Sequence, residues 1–336
     1  SWMMYDWANS AHSVIIVTLL PIFFDTVAGY TADSVSSMST WGYATSIAML
    51  IVALAAPFLG VFGDIRGMRK KLFRFFMLLG VAACAGMAFT PGMDFTSGPV
   101  AAGKVASLIL VLYIVSVIGF DASAIYYDAF LTDVTTEDRM DKVSTMGYGL
   151  GYIGGSTIPL LIFLIMNLVG VPMLTCLAFV FGLTAVWWLA FSLPLLKNCE
   201  QTSGKPYEKG DVARSIKGVG TTIKEIIANK PMLIYILSYF FYIDGVHTVI
   251  SMATTYGTNL GLDSTGMMLA LLLVQILGLP FCLFYIKCSE KFGARTMVGF
   301  GICVYMFICI FAFFMNSLWP VSYTHLRAHR PLYISY

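Results

Sequence analysis

The chain has 336 residues, 58% of them hydrophobic and only 11% charged, with a formal net charge of +2 and a mean hydropathy of +0.81. Soluble domains carry roughly 25% charge, so this composition excludes an ordinary soluble enzyme, a disordered chain and a secreted disulfide scaffold. What remains is an all-α polytopic membrane protein, and with the basic clusters placed in loops no basic face is left for nucleic acid.

Apolar stretches long enough to cross ~30 Å of hydrocarbon as helices recur near 2–27, 41–62, 72–90, 105–127, 144–169, 171–196, 232–256, 266–286 and 296–316. The first span opens at Ser1, without a Met and with no cleavable signal peptide in view. It reads as the interior of a longer chain. Asp6, Asn9 and Ser13 fall on one face of this span. Such a stripe suits the wall of a solute cavity; helix packing with a cap is the competing account. His12 points away from that face.

The connection after the second span carries Arg66, Arg69, Lys70, Lys71 and Arg74, and the one after the fourth carries Arg139 and Lys142. Segment 197–230 adds seven more cations, and the connection after the eighth span adds Lys287, Lys291 and Arg295. Of the 20 Lys and Arg residues, only Lys104 lies in an odd-numbered connection, and only Arg327 and Arg330 lie in the tail. The positive-inside rule therefore places the even connections and the N-terminus in the cytoplasm; the membrane itself is expected to be of the bacterial inner-membrane type.

In the fourth span Asp121 and Asp128 share a face, with Tyr126 and Tyr127 beside them. A central Asp costs about +2.5 to +3.5 kcal/mol on insertion scales, so ionisable groups in spans are functional candidates by default. Asp128 lies nearer the loop, where it and Asp133 can pair with loop cations. The fifth span holds Gly147, Gly149, Gly151, Gly154 and Gly155. No strand precedes these glycines and no Lys-Ser/Thr follows, so a phosphate loop is excluded. The Gly151/Gly155 pair instead allows close helix contact.

Segment 197–230 is the longest polar stretch, with Gly204, Pro206 and Gly210, then an amphipathic piece from Val212 to Ala228. It divides residues 1–196, a six-helix bundle, from residues 231–320, the first three helices of a second bundle. In the seventh span Asp244 is followed by His247 three residues on, on the same face. This pair suits proton exchange or solute binding; a structural hydrogen bond between helices is the alternative. Tyr242 lies beside it. The seven cysteines contain no CxxC pair and six sit in apolar runs, so they read as inert buried thiols rather than metal ligands. After Pro320 the chain becomes VSYTHLRAHRPLYISY. That tail resembles spurious translation at the ends of assembled metagenomic fragments, and 321–336, with His325 and His329, is set aside as non-native.

Two segment pairs repeat across the linker. Asp64-Ile-Arg-Gly67-Met-Arg69 matches Glu290-Lys-Phe-Gly293-Ala-Arg295, and Ala11-His12-Ser13-Val14-Ile15 matches Val246-His247-Thr248-Val249-Ile250. Same order and register imply a duplicated six-span unit. Parallel repeats with a site between the halves are a transporter plan. Gly60-x-x-x-Asp64-x-x-Gly67-x-Arg69-Lys70 resembles the signature of the major facilitator superfamily. Tyr5-Asp6-Trp7-Ala8-Asn9-Ser10-Ala11, Tyr126-Tyr127-Asp128-Ala129-Phe130-Leu131, the Gly147–Gly155 run and Tyr242-Ile243-Asp244-Gly245-Val246-His247-Thr248 resemble its vacuole effluxer-like branch, which includes autophagy-related amino-acid effluxers. The resemblance covers about 1–316 and implies a six-plus-six fold with about nine helices present and spans ten to twelve absent. It implies that spans one, four and seven line the cavity, and that Asp64, Gly67, Arg69 and Lys70 form a gate rather than a binding site.

These readings lead to one expectation: a monomeric secondary transporter in the lipid bilayer, moving a small solute by alternating access, with no cofactor and no metal. A proton is the expected coupling ion and efflux of amino acids or similar zwitterions is favoured. The expected solute or proton residues are Asp244, His247, Asp6, Asn9, Ser13, Asp121 and Tyr126. Proton-coupled uptake of a sugar, peptide or organic acid is the second transport reading; a non-transporting sensor or scaffold is the reading of another class. A membrane-embedded enzyme finds no HExxH motif, nucleophile elbow or border carboxylate pair to support it.

Overall fold

The structure is a computed structural model and describes residues 1–31, 34–204, 206, 211–259, 261–262 and 264–313. The 321–336 tail, Lys205, Lys209 and Gly210 lie outside the described residues. In chain order the helices are α1 (Met4–Ala28), α2 (Ser34–Gly63), α3 (Arg69–Met87), α4 (Pro99–Ala129), the short α5 (Leu131–Val134), α6 (Met140–Leu150), α7 (Thr157–Leu168), α8 (Met173–Asn198), α9 (Asp211–Ala228), α10 (Lys230–Asn259), α11 (Ser264–Phe292) and α12 (Ala294–Phe313). A π-helical turn, Gly151–Ser156, joins α6 to α7. Among the described residues eight helical stretches are long and apolar enough to cross a membrane, and α12 contributes a shorter apolar helix, Arg295–Phe311. This is a multi-pass membrane protein.

Helix ends differ from the hydropathy limits for local reasons. The second span is expected from 41 but its helix begins at Ser34. The Ser/Thr-rich turns before Trp41 are helical yet too polar to register as hydrocarbon-spanning. The Ser37 hydroxyl bonds the Asp25 carboxylate and ties α2 to the end of α1. The fourth span begins at Pro99, at the first turn, where its missing N–H is not needed. The fifth span, expected as one helix, is interrupted by the π-turn, which a glycine-rich run admits.

Helix α1 sits at the centre, packed on α4, α8 and the π-turn. Apolar lipid offers little hydrophobic drive for helix association, so close packing carries more of the load. Small residues supply it here. A Cβ on Gly154 would enter the Trp7 ring, and one on Gly155 would meet the Trp7 carbonyl and Ser10. The glycines of the fifth span thus let that helix lie directly on α1. Gly119 does the same for α3 against α4, where a Cβ would stand 2.5 Å from the Gly80 nitrogen. Rings fill the remaining space: Trp2 stacks on Tyr127 at 4.2 Å, and Trp7 lies parallel to Trp187 at 6.4 Å.

Both repeated acid-x-x-Gly-x-Arg segments turn the chain at their glycine, although residues 64–68 separate α2 from α3 whereas Gly293 alone separates α11 from α12. Gly67 has φ +82° and Gly293 has φ +81°. Only glycine adopts this conformation without a steric penalty, so the two motifs share the conformation of their glycine as well as letters. Across the linker, α10 touches α1, and α11 packs against α6, the π-turn and α7. Helix α9, strongly amphipathic, lies against α2 and α10.

Candidate functional site

The polar face of α1 meets α4. The Tyr127 hydroxyl donates to Asp6 Oδ2 at 2.7 Å. The Trp2 indole N–H donates to the Tyr127 carbonyl at 2.9 Å, which fixes the backbone that carries this tyrosine. One turn deeper, the Ser123 hydroxyl donates to the Phe120 carbonyl at 2.8 Å, so its oxygen receives the Tyr5 hydroxyl at 2.7 Å. Trp188 Nε1 donates in turn to Tyr5 at 3.3 Å. The same logic fixes His12: Ser116 donates to the Tyr113 carbonyl at 2.8 Å, leaving its oxygen to accept from His12 Nε2 at 3.2 Å. Among the described residues His12 Nδ1 has no hydrogen-bond partner, and the ring stacks on Phe120 at 4.8 Å.

Asp6 is therefore held by a named donor, Asn9 is buried on the same helix and Ser13 is half-buried. Asp121 is half-buried and Asp128 exposed on α4. Tyr126 turns the other way from Tyr127: its hydroxyl donates to the Leu59 carbonyl of α2 at 3.0 Å and its ring stacks on Phe76 of α3. Of this tyrosine pair, Tyr127 is the residue that reaches α1.

On α10, Asp244 is exposed and His247 half-buried. The Thr248 hydroxyl donates to the Asp244 carbonyl at 2.9 Å. A cavity of about 330 Å³ opens between α10 and α12, lined by Tyr242, Gly245, Val246, Tyr305 and their apolar neighbours. The structure brings Tyr242, but neither Asp244 nor His247, to its wall.

The expected gate residues form a clasp at the linker end of the bundle. Arg69 is buried; its Nη1 donates to the Ala129 carbonyl at 2.9 Å and to Ser203 Oγ at 3.2 Å, and pairs with Asp133. Asp133 Oδ1 accepts the Thr202 and Ser203 amides at 3.1 and 2.9 Å. The Gln201 amide oxygen accepts the Gly67 and Arg69 backbone N–H groups at 2.8 and 3.3 Å, while its nitrogen donates to the Gly63 carbonyl at 3.0 Å. Asp64 stands 3.9 Å from Arg69 with its side chain 80% exposed, so it is available to another partner. Lys70 is half-buried beside this turn. A second cavity, of about 550 Å³, lies next to the clasp between Trp2, Asp133, Asn198 and Thr202.

Sequence reasoning passed over Gln201, Ser203 and Gln275. The first two sit in a polar segment where nothing marks one residue above another. Gln275 had a signal: it is a polar interruption inside Ala270–Leu279, the core of an apolar run. Attention to charged residues alone overlooked it.

A sequence model described as "Vacuole effluxer Atg22 like" matches residues 30–325. The uncharacterized MFS-type transporter YxiO of Bacillus subtilis (strain 168) is 39% identical over 325 residues, covering 94% of this chain and 73% of that protein. Autophagy-related protein 22-1 of Penicillium rubens is 24% identical over 202 residues, 56% of this chain and 34% of that one. Among solved structures, the inward-open xylose transporter XylE from E. coli superposes with a TM-score of 0.59 at 16% identity, covering 98% of this chain and 78% of that one. The tetrameric PepTSo2 structure does so at 0.54 and 14%, covering 98% and 79%. These superpositions establish a major facilitator fold. The chain is a membrane transporter of that type, and it belongs to the vacuole effluxer Atg22-like family.

Proposed function

We propose that this transporter exports amino acids or similar small zwitterions across a bacterial cytoplasmic membrane, coupled to proton entry, by alternating access of two halves. The observation that carries the reading is the placement of carboxyl groups on α1, α4 and α10, the first helix of each three-helix unit, with Asp6 held by Tyr127 between α1 and α4. A carboxyl inside a span is costly unless it serves a purpose, and one that can gain and lose a proton neutralises itself as it moves between the two sides. Family membership supports the solute class through the autophagy-related relatives.

In this account Asp244, with His247 beside it, carries the coupling proton. Asp6, Asn9, Ser13 and Asp121 shape the solute path, and Tyr126 acts from behind it by bracing α4 on α2. The Asp64, Gly67, Arg69 and Lys70 turn acts as the gate on the cytoplasmic side, where the excess of cations places the linker. The protein works as a monomer within the bilayer.

The test is uptake of a radiolabelled mixture of proteinogenic L-amino acids into proteoliposomes holding the full-length protein, under an imposed pH gradient. Accumulation that a protonophore abolishes supports the reading. No accumulation of any amino acid in either gradient direction, with the protein folded, would sink it.

A further inference from the structure

Gln275 lies near the middle of α11 and is 1% exposed. Among the described residues neither its amide oxygen nor its amide nitrogen has a hydrogen-bond partner. Inside a membrane protein this is an expensive arrangement, because no lipid tail can satisfy either atom. The α11 face that holds it also carries Val274, Gly278 and Cys282, all buried. That face is turned to the fifth span. A Cβ on Gly278 would stand 2.6 Å from the Tyr152 ring, and one on Gly149 would stand 2.6 Å from Leu279 and 3.8 Å from Cys282. The unpaired amide thus sits in the seam between α11 and the helix containing the Gly151–Ser156 π-turn. Such turns are frequent at functional sites, and this seam joins helices on either side of the linker.

We propose that Gln275 is a solute-binding residue. When α11 and the π-turn part, its N–H₂ group donates to a carboxylate and its carbonyl accepts from an ammonium, as an α-amino acid presents. A primary amide offers both functions on one side chain; a fixed interhelical bond would have left at least one of them occupied in the closed seam. The tight Gly278–Tyr152 contact lets the seam close beside the amide in this state: with no Cβ at 278 the Tyr152 ring lies directly against α11. The amide's lost hydrogen bonds are recovered only when solute or water enters. This assignment rests on the amino-acid reading given above.

The experiment is counterflow of the radiolabelled L-amino-acid mixture in proteoliposomes of the full-length protein, with Gln275→Met and Gln275→Asn compared with wild type, and thermal melting recorded for each. Methionine keeps the length of glutamine and removes both polar functions. The account expects Gln275→Met to melt at or above the wild-type temperature, because an unpaired buried amide has gone. It expects the same variant to raise KM roughly tenfold or more, with Gln275→Asn recovering part of the loss. An unchanged KM in Gln275→Met beside active wild type would overturn this assignment and leave the amino-acid reading standing. A lowered melting temperature with unchanged KM would mark a structural bond and overturn it too. Absence of counterflow in wild type would overturn the amino-acid reading and this assignment together.

Discussion

Gln201 and Gly67 stand 134 residues apart in the chain, yet the Gln201 amide oxygen accepts the Gly67 backbone N–H at 2.8 Å. With the Arg69 N–H and the Gly63 carbonyl as further partners, one side chain pins the turn between α2 and α3 to the segment that leaves α8. Gln201→Ala removes all three bonds and leaves two backbone donors without this acceptor. The expected loss is about 1–2 kcal/mol of stability, read as a lower melting temperature in detergent and faster proteolysis within 199–204. Unchanged melting would mean that water satisfies those donors as well as glutamine does.

The Arg69–Asp133 pair should resist even conservative change. Arg69 serves the Ala129 carbonyl, Ser203 and Asp133 all through Nη1, whose reach and plane are set by the rigid guanidinium and are not reproduced by a lysine ammonium. Asp133→Ala leaves a buried guanidinium short of its counter-charge, an expected cost of about 3–5 kcal/mol. Arg69→Lys is expected to cost about 2 kcal/mol. The double variant should lose less than the sum of the singles, since both remove one shared contact. A chemical-denaturation cycle measures this; strict additivity would show that the pair is not coupled.

The contact between α1 and the π-turn makes a steric prediction. Gly155→Val places methyls where the Trp7 carbonyl and Ser10 already lie, and overpacking of that kind costs about 1–3 kcal/mol. Gly103→Ala provides the control, because nothing lies within 4 Å of a Cβ there and alanine favours the helix. Melting of the two variants should diverge, with Gly103→Ala at or slightly above wild type.

Tyr127→Phe removes the hydroxyl that donates to Asp6 and retains the ring stacked on Trp2. Within the proposed transport cycle the Asp6 carboxyl then loses the donor that fixes it at the α1–α4 seam, and transport should slow several-fold. Rates measured in proteoliposomes check this; an unchanged rate would confine Asp6 to packing.

Much of the fold could be read because hydropathy and charge placement are strong local signals. The spans from Met4 to Phe313 follow the apolar runs, and Gly67 and Gly293 share a positive φ, as their matching sequences imply. Helix ends such as Ser34 were hidden, since polar turns extend a helix without adding hydropathy. The π-turn was hidden because its glycines permit it without requiring it. Candidates for the site were legible only where a residue violates its surroundings. Asp6 and Asp244 stand out in apolar helices by their charge. The partner of Asp6, Tyr127, is one of two adjacent tyrosines whose opposite directions depend on how α4 rotates against α1 and α2. Gln201 gains its role from a long-range contact that no local pattern announces.

The central claim is proton-coupled movement of amino acids through the facing halves. Its most direct measurement is proton flux, followed with a pH-sensitive dye in proteoliposomes of the full-length protein, when an amino-acid mixture is added under an imposed pH gradient. The account predicts a flux that requires both the solute and the gradient and that disappears in Asp244→Asn while the variant remains folded. Amino-acid transport that proceeds in wild type without proton movement, or with the same proton movement in Asp244→Asn, would contradict it.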